Sequence, residues 1–196
     1  MLLTTERLLL REMTQADFPA LCQIMQDSLT MTAYEGPFTA TEVQTWLDRQ
    51  ISNYHQYGHG LWAVMLRDSG EMIGQCGITW QDIAGKRVVE VGYLFNRNYW
   101  HQGFAIEAAR AALEWAFANL DVAAVYAQVR DTNIASLNVA IRLGMSIESR
   151  FLKHYRSVDM PHFAFRVRRP APTIPAEAAH AEAAYAVADP AEAAPE

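Results

Sequence analysis

A glycine-containing turn between a predicted strand and a predicted helix is the first stretch whose residues could do chemistry. Val88 to Phe95 form a nearly unbroken apolar run, and apolar residues recur at helical spacing from Ile106 to Phe117. A helix start has unpartnered amides and about half a positive charge. Because Gly103 permits close approach and Ala105 is small, the turn is predicted to bind phosphate or pyrophosphate. A purely structural connection is the alternative.

Glu90 is the second candidate, because it is the one charged residue inside that apolar run. Burial disfavours an ionised carboxylate, so the pKa of Glu90 is expected to rise towards the range of a useful general base. The alternative is a structural carboxylate held by an arginine of a neighbouring strand or by a backbone N–H group. The sequence alone leaves both interpretations open.

The elements that must position these residues follow from hydrophobic periodicity and from turn and capping residues. Helices are predicted after the caps Asp17 and Thr39, from within the glycine turn, and over Asn133 to Leu143. Strands are predicted over residues 7–13, 61–66, 72–80, 88–95 and 123–129, with a closing hairpin from 145–155 and 163–167. This order predicts an α+β or mixed α/β fold whose mostly antiparallel sheet contains one parallel join.

The segment from Asp27 to Phe38 has no regular periodicity and is long for a connection. It is predicted either to form part of a substrate pocket or to be a mobile connector without a role in binding. From Pro170 onward the sequence is rich in Ala, Pro and Glu, so residues 170–196 are expected to be a disordered tail after a domain of residues 1–169.

Composition narrows the class of protein. The chain has 196 residues, 51% of them hydrophobic, and a net charge of −6, which disfavours non-specific binding of nucleic acid. Cys22 and Cys76 have no metal-site or disulfide-framework spacing, so they are expected to be reduced, and no metal is expected. No signal peptide or membrane span is recognisable. We therefore expect a cytoplasmic protein that binds neither membrane nor nucleic acid, as a monomer or a homodimer.

Five short motifs, in order, resemble the GNAT acyltransferase superfamily, in particular its RimJ/RimL-type protein N-acetyltransferase branch. They are Thr5-Glu6-Arg7-Leu8-x-Leu10-Arg11, Glu90-Val91-Gly92-Tyr93-Leu94, Tyr99-Trp100-x-x-Gly103-Phe104-Ala105-x-Glu107-Ala108, Asn133-x-x-Ser136 and Leu143-Gly144-Met145. The resemblance covers residues 2 to about 168. It implies a three-layer fold, with a sheet of about six to seven strands, a splayed parallel join and about four flanking helices.

The resemblance also implies acetyl-CoA as acetyl donor. Its pyrophosphate would bind the backbone amides of His101, Gln102, Gly103, Phe104 and Ala105, and its pantetheine arm would lie along Leu94, Phe95 and Asn96 and contact Asn133. Arg97, Arg142 and His101 could meet the adenosine phosphates, or could be solvated surface groups.

Direct transfer of an acetyl group to an amine needs a base and a proton for the departing thiolate. Glu90 is the candidate base. The resemblance implies Ser136 as the proton donor, since the tyrosine that many relatives have later in this helix is missing here; helix capping by Asn133 or Ser136 is the alternative. Tyr34, Trp80, Tyr93 and Tyr155 are predicted to line the acceptor pocket, or to be plain core.

The resemblance implies a protein or peptide N-terminal amine as acceptor. A small-molecule amine (an aminoglycoside, polyamine or amino acid) and a non-catalytic acyl-CoA-binding regulatory module are the alternatives.

Overall fold

The computed structural model describes residues 2–83 and 85–170. Its strands are β1 (Leu2–Thr4), β2 (Leu8–Arg11), β3 (Leu61–Leu66), β4 (Met72–Ile83), β5 (Lys86–Phe95), β6 (Ala124–Arg130), β7 (Ser146–Tyr155) and β8 (Val158–Arg168). Its helices are α1 (Phe18–Met25), α2 (Ala40–Tyr57), α3 (Phe104–Asn119) and α4 (Ile134–Arg142). Short 3₁₀ turns occur at Gln15–Asp17, Thr32–Tyr34 and Arg97–Tyr99. The predicted tail lies outside the described residues, apart from its first residue.

The strands form one sheet in the order β1-β2-β3-β4-β5-β6-β8-β7. Every neighbouring pair is antiparallel except β5 and β6, which are parallel and are connected by α3. The predicted mixed α/β fold with one parallel join is therefore confirmed. The sheet has eight strands in the described chain rather than the predicted six to seven, because β1 has only three residues and is too short to show a periodicity.

The helices cover both faces of the sheet and make a three-layer structure. One core cluster joins α3 and α4 to inward residues such as Leu10, Trp62 and Ile78. A second cluster joins α1 and α2 to the opposite face through residues such as Met13 and Ala63. Side chains alternate between the faces of a strand, so neighbouring residues of β5 point towards different helix layers.

One of the two predicted caps acts as expected. Thr39 and Glu42 form the reciprocal capping box at the start of α2. Asp17 precedes α1, but its side chain makes no cap bond to that helix; its carboxylate accepts from the Thr14 N–H and pairs with Arg11.

The closing hairpin differs from the prediction, because β8 begins at Val158 rather than at Phe163. The added part of β8 contains Pro161, which has no backbone N–H group to donate. It is tolerated because β6 pairs with β8 only as far as His162, so Pro161 lies beyond that ladder.

Candidate active site

A gap opens between β5 and β6 and forms the centre of the site. The two strands pair at a single position, Glu90 with Tyr126. Beyond it β5 continues beside β4 and β6 continues beside β8, so the two parallel strands diverge. Backbone and side chains of Val91–Leu94 and Ala127–Arg130 line the resulting cavity of about 760 Å³. Glu90 also lines this cavity, at the position where the two strands pair before they diverge.

The glycine turn lies at the other end of β5, directly before α3. His101 and Gly103 both have positive φ, 62° and 83°, and Gly103 is the residue that precedes the helix. The Glu107 N–H donates to the Gly103 carbonyl (3.1 Å), which is the first regular helical bond. Amides before Glu107 have no acceptor within the helix. The turn therefore presents the row of backbone donors that an anion such as pyrophosphate requires.

Glu107 and Arg7 anchor this turn to the start of the chain. The Glu107 carboxylate accepts from the Thr5 hydroxyl (2.6 Å) and from the backbone N–H (2.9 Å) and Nε (2.7 Å) of Arg7. Arg7 also donates to the Gln102 carbonyl (2.9 Å). Burial would raise the pKa of Glu107, but these bonds hold that pKa below its usual value. No individual role was predicted for Glu107 or Arg7, although they belong to two of the resembling motifs and carry opposite charges.

Main-chain groups of β5 also face the gap. The Asn96 N–H donates to the Ile73 carbonyl of β4 (2.9 Å). Backbone N–H and carbonyl groups alternate in direction along a strand, so those of Tyr93 and Phe95 face the gap and those of Leu94 face β4. The Phe95 carbonyl accepts from Trp100 Nε1 (2.8 Å), which closes the segment between strand and turn. Of the three residues expected to hold a pantetheine arm, Phe95 is the one whose backbone is directed into the gap.

Glu90 is partly buried, with its carboxylate towards β6. Gln128 Nε2 donates to that carboxylate (2.7 Å), and the Gln128 backbone N–H bonds to it as well. Burial raises the pKa of Glu90 to about 7, although the positive charge of Lys153 and the bonds from Gln128 act in the opposite direction. Of the two partners considered from the sequence, the structure has the backbone N–H group, together with a neutral side-chain amide, and not the arginine. A carboxylate with this pKa can accept a proton near neutral pH.

The start of α4 lies on the other side of the gap. Asn133 caps the helix, since its side-chain oxygen accepts from the Ser136 N–H (3.2 Å). The Tyr93 hydroxyl donates to the Ser136 carbonyl (3.0 Å), so a second hydroxyl lies beside Ser136. Tyr93 comes from β5, which is distant in sequence, and it was expected in the acceptor pocket. The sequence around Ser136 could not reveal this contact, because Tyr93 reaches α4 only through the folding of β5 against that helix.

Aromatic side chains form the opposite end of the same cavity. Tyr34, Trp80, Tyr93 and Tyr155, the four residues predicted for the pocket, all line it. The Tyr34 ring lies 6.4 Å from Tyr155, 6.3 Å from Trp46 and 6.0 Å from Phe38. Phe38 and Trp46 were missed as site residues, because Trp46 also fits the apolar stripe of α2. Trp80 lies farther along, beside His59 and the Arg87 guanidinium.

The segment from Asp27 to Phe38 is attached to the sheet by ionic contacts. Arg130 of β6 donates to the Thr32 carbonyl (3.2 Å) and pairs with Glu35. Arg97 pairs with Asp27 (3.0 Å), so this candidate for a phosphate contact is held by a carboxylate. Thr30, Ala33 and Tyr34 of the segment line the cavity. The segment is therefore part of the cavity wall, as one of the two interpretations predicted.

A second groove, of about 520 Å³, runs beside the glycine turn and is lined by Gly103, Arg110 and Arg142 among others. His101 is exposed at the turn itself. Cys22 and Cys76 are both free thiols, and burial raises the pKa of Cys76. Within residues 2–83 and 85–170, His, Cys, Asp and Glu side chains form no group of three that could hold a metal ion. In the same residues no helix is long and apolar enough to cross a membrane.

Comparison with known proteins places this fold and site in a family. The acetyltransferase (GNAT) domain matches residues 7–146, so the chain belongs to the GNAT acetyltransferase family. It is 36% identical over 144 residues to YkkB of Bacillus subtilis, a match that covers 73% of this chain and 84% of that protein. The protein is thus an acetyltransferase of a family that uses acetyl-CoA.

Two solved structures show the same fold at low sequence identity. One is RimL, a ribosomal L7/L12 α-N-protein acetyltransferase in complex with coenzyme A, at 15% identity and a TM-score of 0.72; it covers 86% of this chain and 98% of that one. The other is spermidine N-acetyltransferase from Vibrio cholerae with CoA and spermine, at 16% identity and a TM-score of 0.67; it covers 84% of this chain and 97% of that one. At such identities the likeness concerns the fold and leaves the acceptor open.

Proposed function

We propose that this chain transfers the acetyl group of acetyl-CoA directly to a primary amine, with a peptide or protein N-terminal amine as the favoured acceptor. Catalysis is assigned to the domain of residues 1–169. The observation that carries the proposal is the position of Glu90. It lies in one continuous cavity between a wall of aromatic side chains and the gap that leads to the anion-binding turn.

The donor would bind along β5. Its pyrophosphate would accept hydrogen bonds from the amides of His101 to Ala105, whose positive-φ turn exposes them. Its pantetheine arm would enter the gap between β5 and β6, beside the backbone of Phe95 and the capping side chain of Asn133. The thioester would then lie between Glu90 and the start of α4.

The chemical step is a direct attack. The amine nitrogen forms a bond to the thioester carbonyl carbon, the carbon–sulfur bond breaks, and the amine proton passes to the Glu90 carboxylate. The leaving sulfur takes a proton from the Ser136 hydroxyl, which regains a proton from water, and Glu90 releases its proton to solvent, so the free thiol and the amide are the only products. Tyr93 is a second candidate donor, because its hydroxyl lies at the Ser136 carbonyl (3.0 Å). The first step needs an ionised carboxylate and a neutral amine, so the rate is expected to rise with pH through about 7, the pKa of Glu90.

Glu90→Gln tests the base. Loss of a positioned general base lowers the rate by about 10²- to 10⁴-fold, while acetyl-CoA affinity should be unchanged. Thiol release and a mass shift of one acetyl group on a peptide or amine panel measure the activity. Glu148→Gln is the matched control, since Glu148 is a surface carboxylate paired with Arg166. A Glu90→Gln enzyme with wild-type rate and pH profile would exclude Glu90 as the base.

The proton donor is tested by a pair of variants, Ser136→Ala and Tyr93→Phe, each of which removes one hydroxyl. The larger loss of turnover at unchanged acetyl-CoA affinity identifies the donor. Acetyl-CoA binding without turnover on any amine would favour the non-catalytic acyl-CoA-binding module.

A further inference from the structure

Two cationic side chains that are not held in a salt bridge within the described residues line the aromatic part of the cavity. Arg49 of α2 lies over the Trp46 ring (4.6 Å from guanidinium carbon to ring centroid), and Lys153 projects from β7. Arg130, the other cation of the cavity wall, is already paired with Glu35. Arg49 and Lys153 therefore remain available to an anionic ligand.

The acids of the same cavity do not neutralise this pair. Glu42 is paired with Arg156. Glu90, which must be ionised to act as the base, is bonded to Gln128 and can balance at most one of the two positive charges. Lys153 lowers the pKa of Glu90, and Arg49 acts to lower the pKa of Tyr34. Both positive charges therefore act on residues that line the cavity. The chain as a whole carries −6, but the aromatic end of its cavity is locally positive.

We propose that the acceptor amine also carries a carboxylate, which Arg49 and Lys153 bind while the amine faces Glu90. This rests on the proposed acetyl transfer and narrows its substrate class. The apolar stretch between amine and carboxylate would pack on Tyr34, Trp46 and Tyr155. A carboxylate of this kind comes either from an acidic side chain near a peptide N-terminus or from a free amino acid. Polyamines and aminoglycosides would instead bring positive charge towards two unpaired cations.

The experiment compares acceptors that differ only in the carboxylate. One pair is a peptide with Glu or Gln at its second residue, and the other is an amino acid and its amide. A charge-assisted bond typically contributes enough to favour the carboxylate acceptor in kcat/KM by about tenfold. Arg49→Met and Lys153→Met should each reduce that ratio towards one. Arg168→Met, at the exposed end of β8, is the control and should leave the ratio unchanged.

The test uses the ratio of kcat/KM for the carboxylate acceptor to kcat/KM for its amide counterpart. Lys153 also affects the pKa of Glu90, but that effect is the same for both members of a pair and cancels in the ratio. A preference confined to the peptide pair or to the amino acid pair supports the inference and identifies the source of the carboxylate. Equal kcat/KM within both pairs, or preferred turnover of spermidine, overturns the inference and leaves acetyl transfer intact. Absence of turnover on every amine overturns the proposed function itself.

Discussion

The two ends of the proposed site are built in different ways. At the proposed donor end, beside the second groove, backbone amides precede α3 in a turn with positive φ at His101 and Gly103, and Glu107 anchors that turn to Arg7. At the acceptor end the ligand-facing groups are side chains, carried by a loop and a hairpin that ion pairs attach to the sheet. Backbone groups are the same for every residue type, so a backbone site suits an invariant donor. A side-chain site can change its ligand by substitution alone.

Gly103→Val should break the donor end and has the largest expected effect in this comparison. A β-branched residue at φ 83° is strained by about 1–3 kcal/mol, and its Cβ would lie 3.4 Å from the Arg7 guanidinium. We expect acetyl-CoA affinity to fall by about tenfold or more, because the amides lose their alignment, with little change in acceptor KM. Isothermal titration with CoA measures the first quantity and steady-state kinetics the second.

Gly85→Val is the matched control for this prediction. Gly85 has φ 81° and an added Cβ would contact nothing within 4 Å, so the variant bears the same backbone strain in the β4–β5 turn. It should lose stability and keep its affinity for CoA. An equal loss of affinity in both variants would show that the effect of Gly103→Val is general strain rather than damage to the turn.

Glu90, where the two ends meet, should destabilise the fold at high pH. The folded state holds its pKa at about 7, above the ordinary 4.5, so the ionised form is disfavoured by folding. The contribution of Glu90 to the free energy of unfolding should therefore be largest below pH 4.5 and should be lost as the pH rises through about 7. Glu90→Gln should remove that fall and stabilise the protein at pH 8 by on the order of 2 kcal/mol. Urea unfolding at pH 5 and pH 8 measures the difference.

The opposite sign is expected for Asp17, whose pKa is lowered. Burial acts to raise that pKa, but the bonds from Arg11 and Thr14 outweigh it. Asp17→Asn should thus destabilise the protein near neutral pH, and its effect should fade as pH falls below the ordinary pKa of 3.8. If both variants changed stability in the same direction at pH 8, the contrast between a reactive and a structural carboxylate would be wrong.

Arg130→Met should loosen the acceptor end, with the smallest expected effect. It removes the contacts to Glu35 and to the Thr32 carbonyl, so acceptor KM should rise by about threefold to tenfold, as expected for loss of a partly buried ion pair. Acetyl-CoA KM should stay constant. Arg150→Met removes the exposed pair with Asp131 and is the control. A rise in acetyl-CoA KM alone would contradict the separation of the two ends.

Much of the fold could be predicted because its signals are local. The Thr39 and Glu42 capping box, the apolar run of β5 and the glycine turn before α3 depend on neighbouring residues, and the structure has each of them at the expected place. Errors occurred where the residue types give no local signal of the pairing. The turn before Val158 has positive φ at Arg156 and Ser157, which are not typical turn residues for that conformation, and β1 is only three residues long.

The sequence by itself also predicted the donor: a glycine turn before an amphipathic helix indicated an anion site, the resemblance to the GNAT superfamily implied acetyl-CoA, and Glu90 stood out as a charge in an apolar strand. Only the tertiary structure decided what surrounds them. It brought Gln128 to Glu90, Tyr93 to Ser136, and Arg49 and Lys153 into one cavity, from elements far apart in the chain. Such contacts depend on how strands diverge and helices pack, which no local pattern of residues encodes.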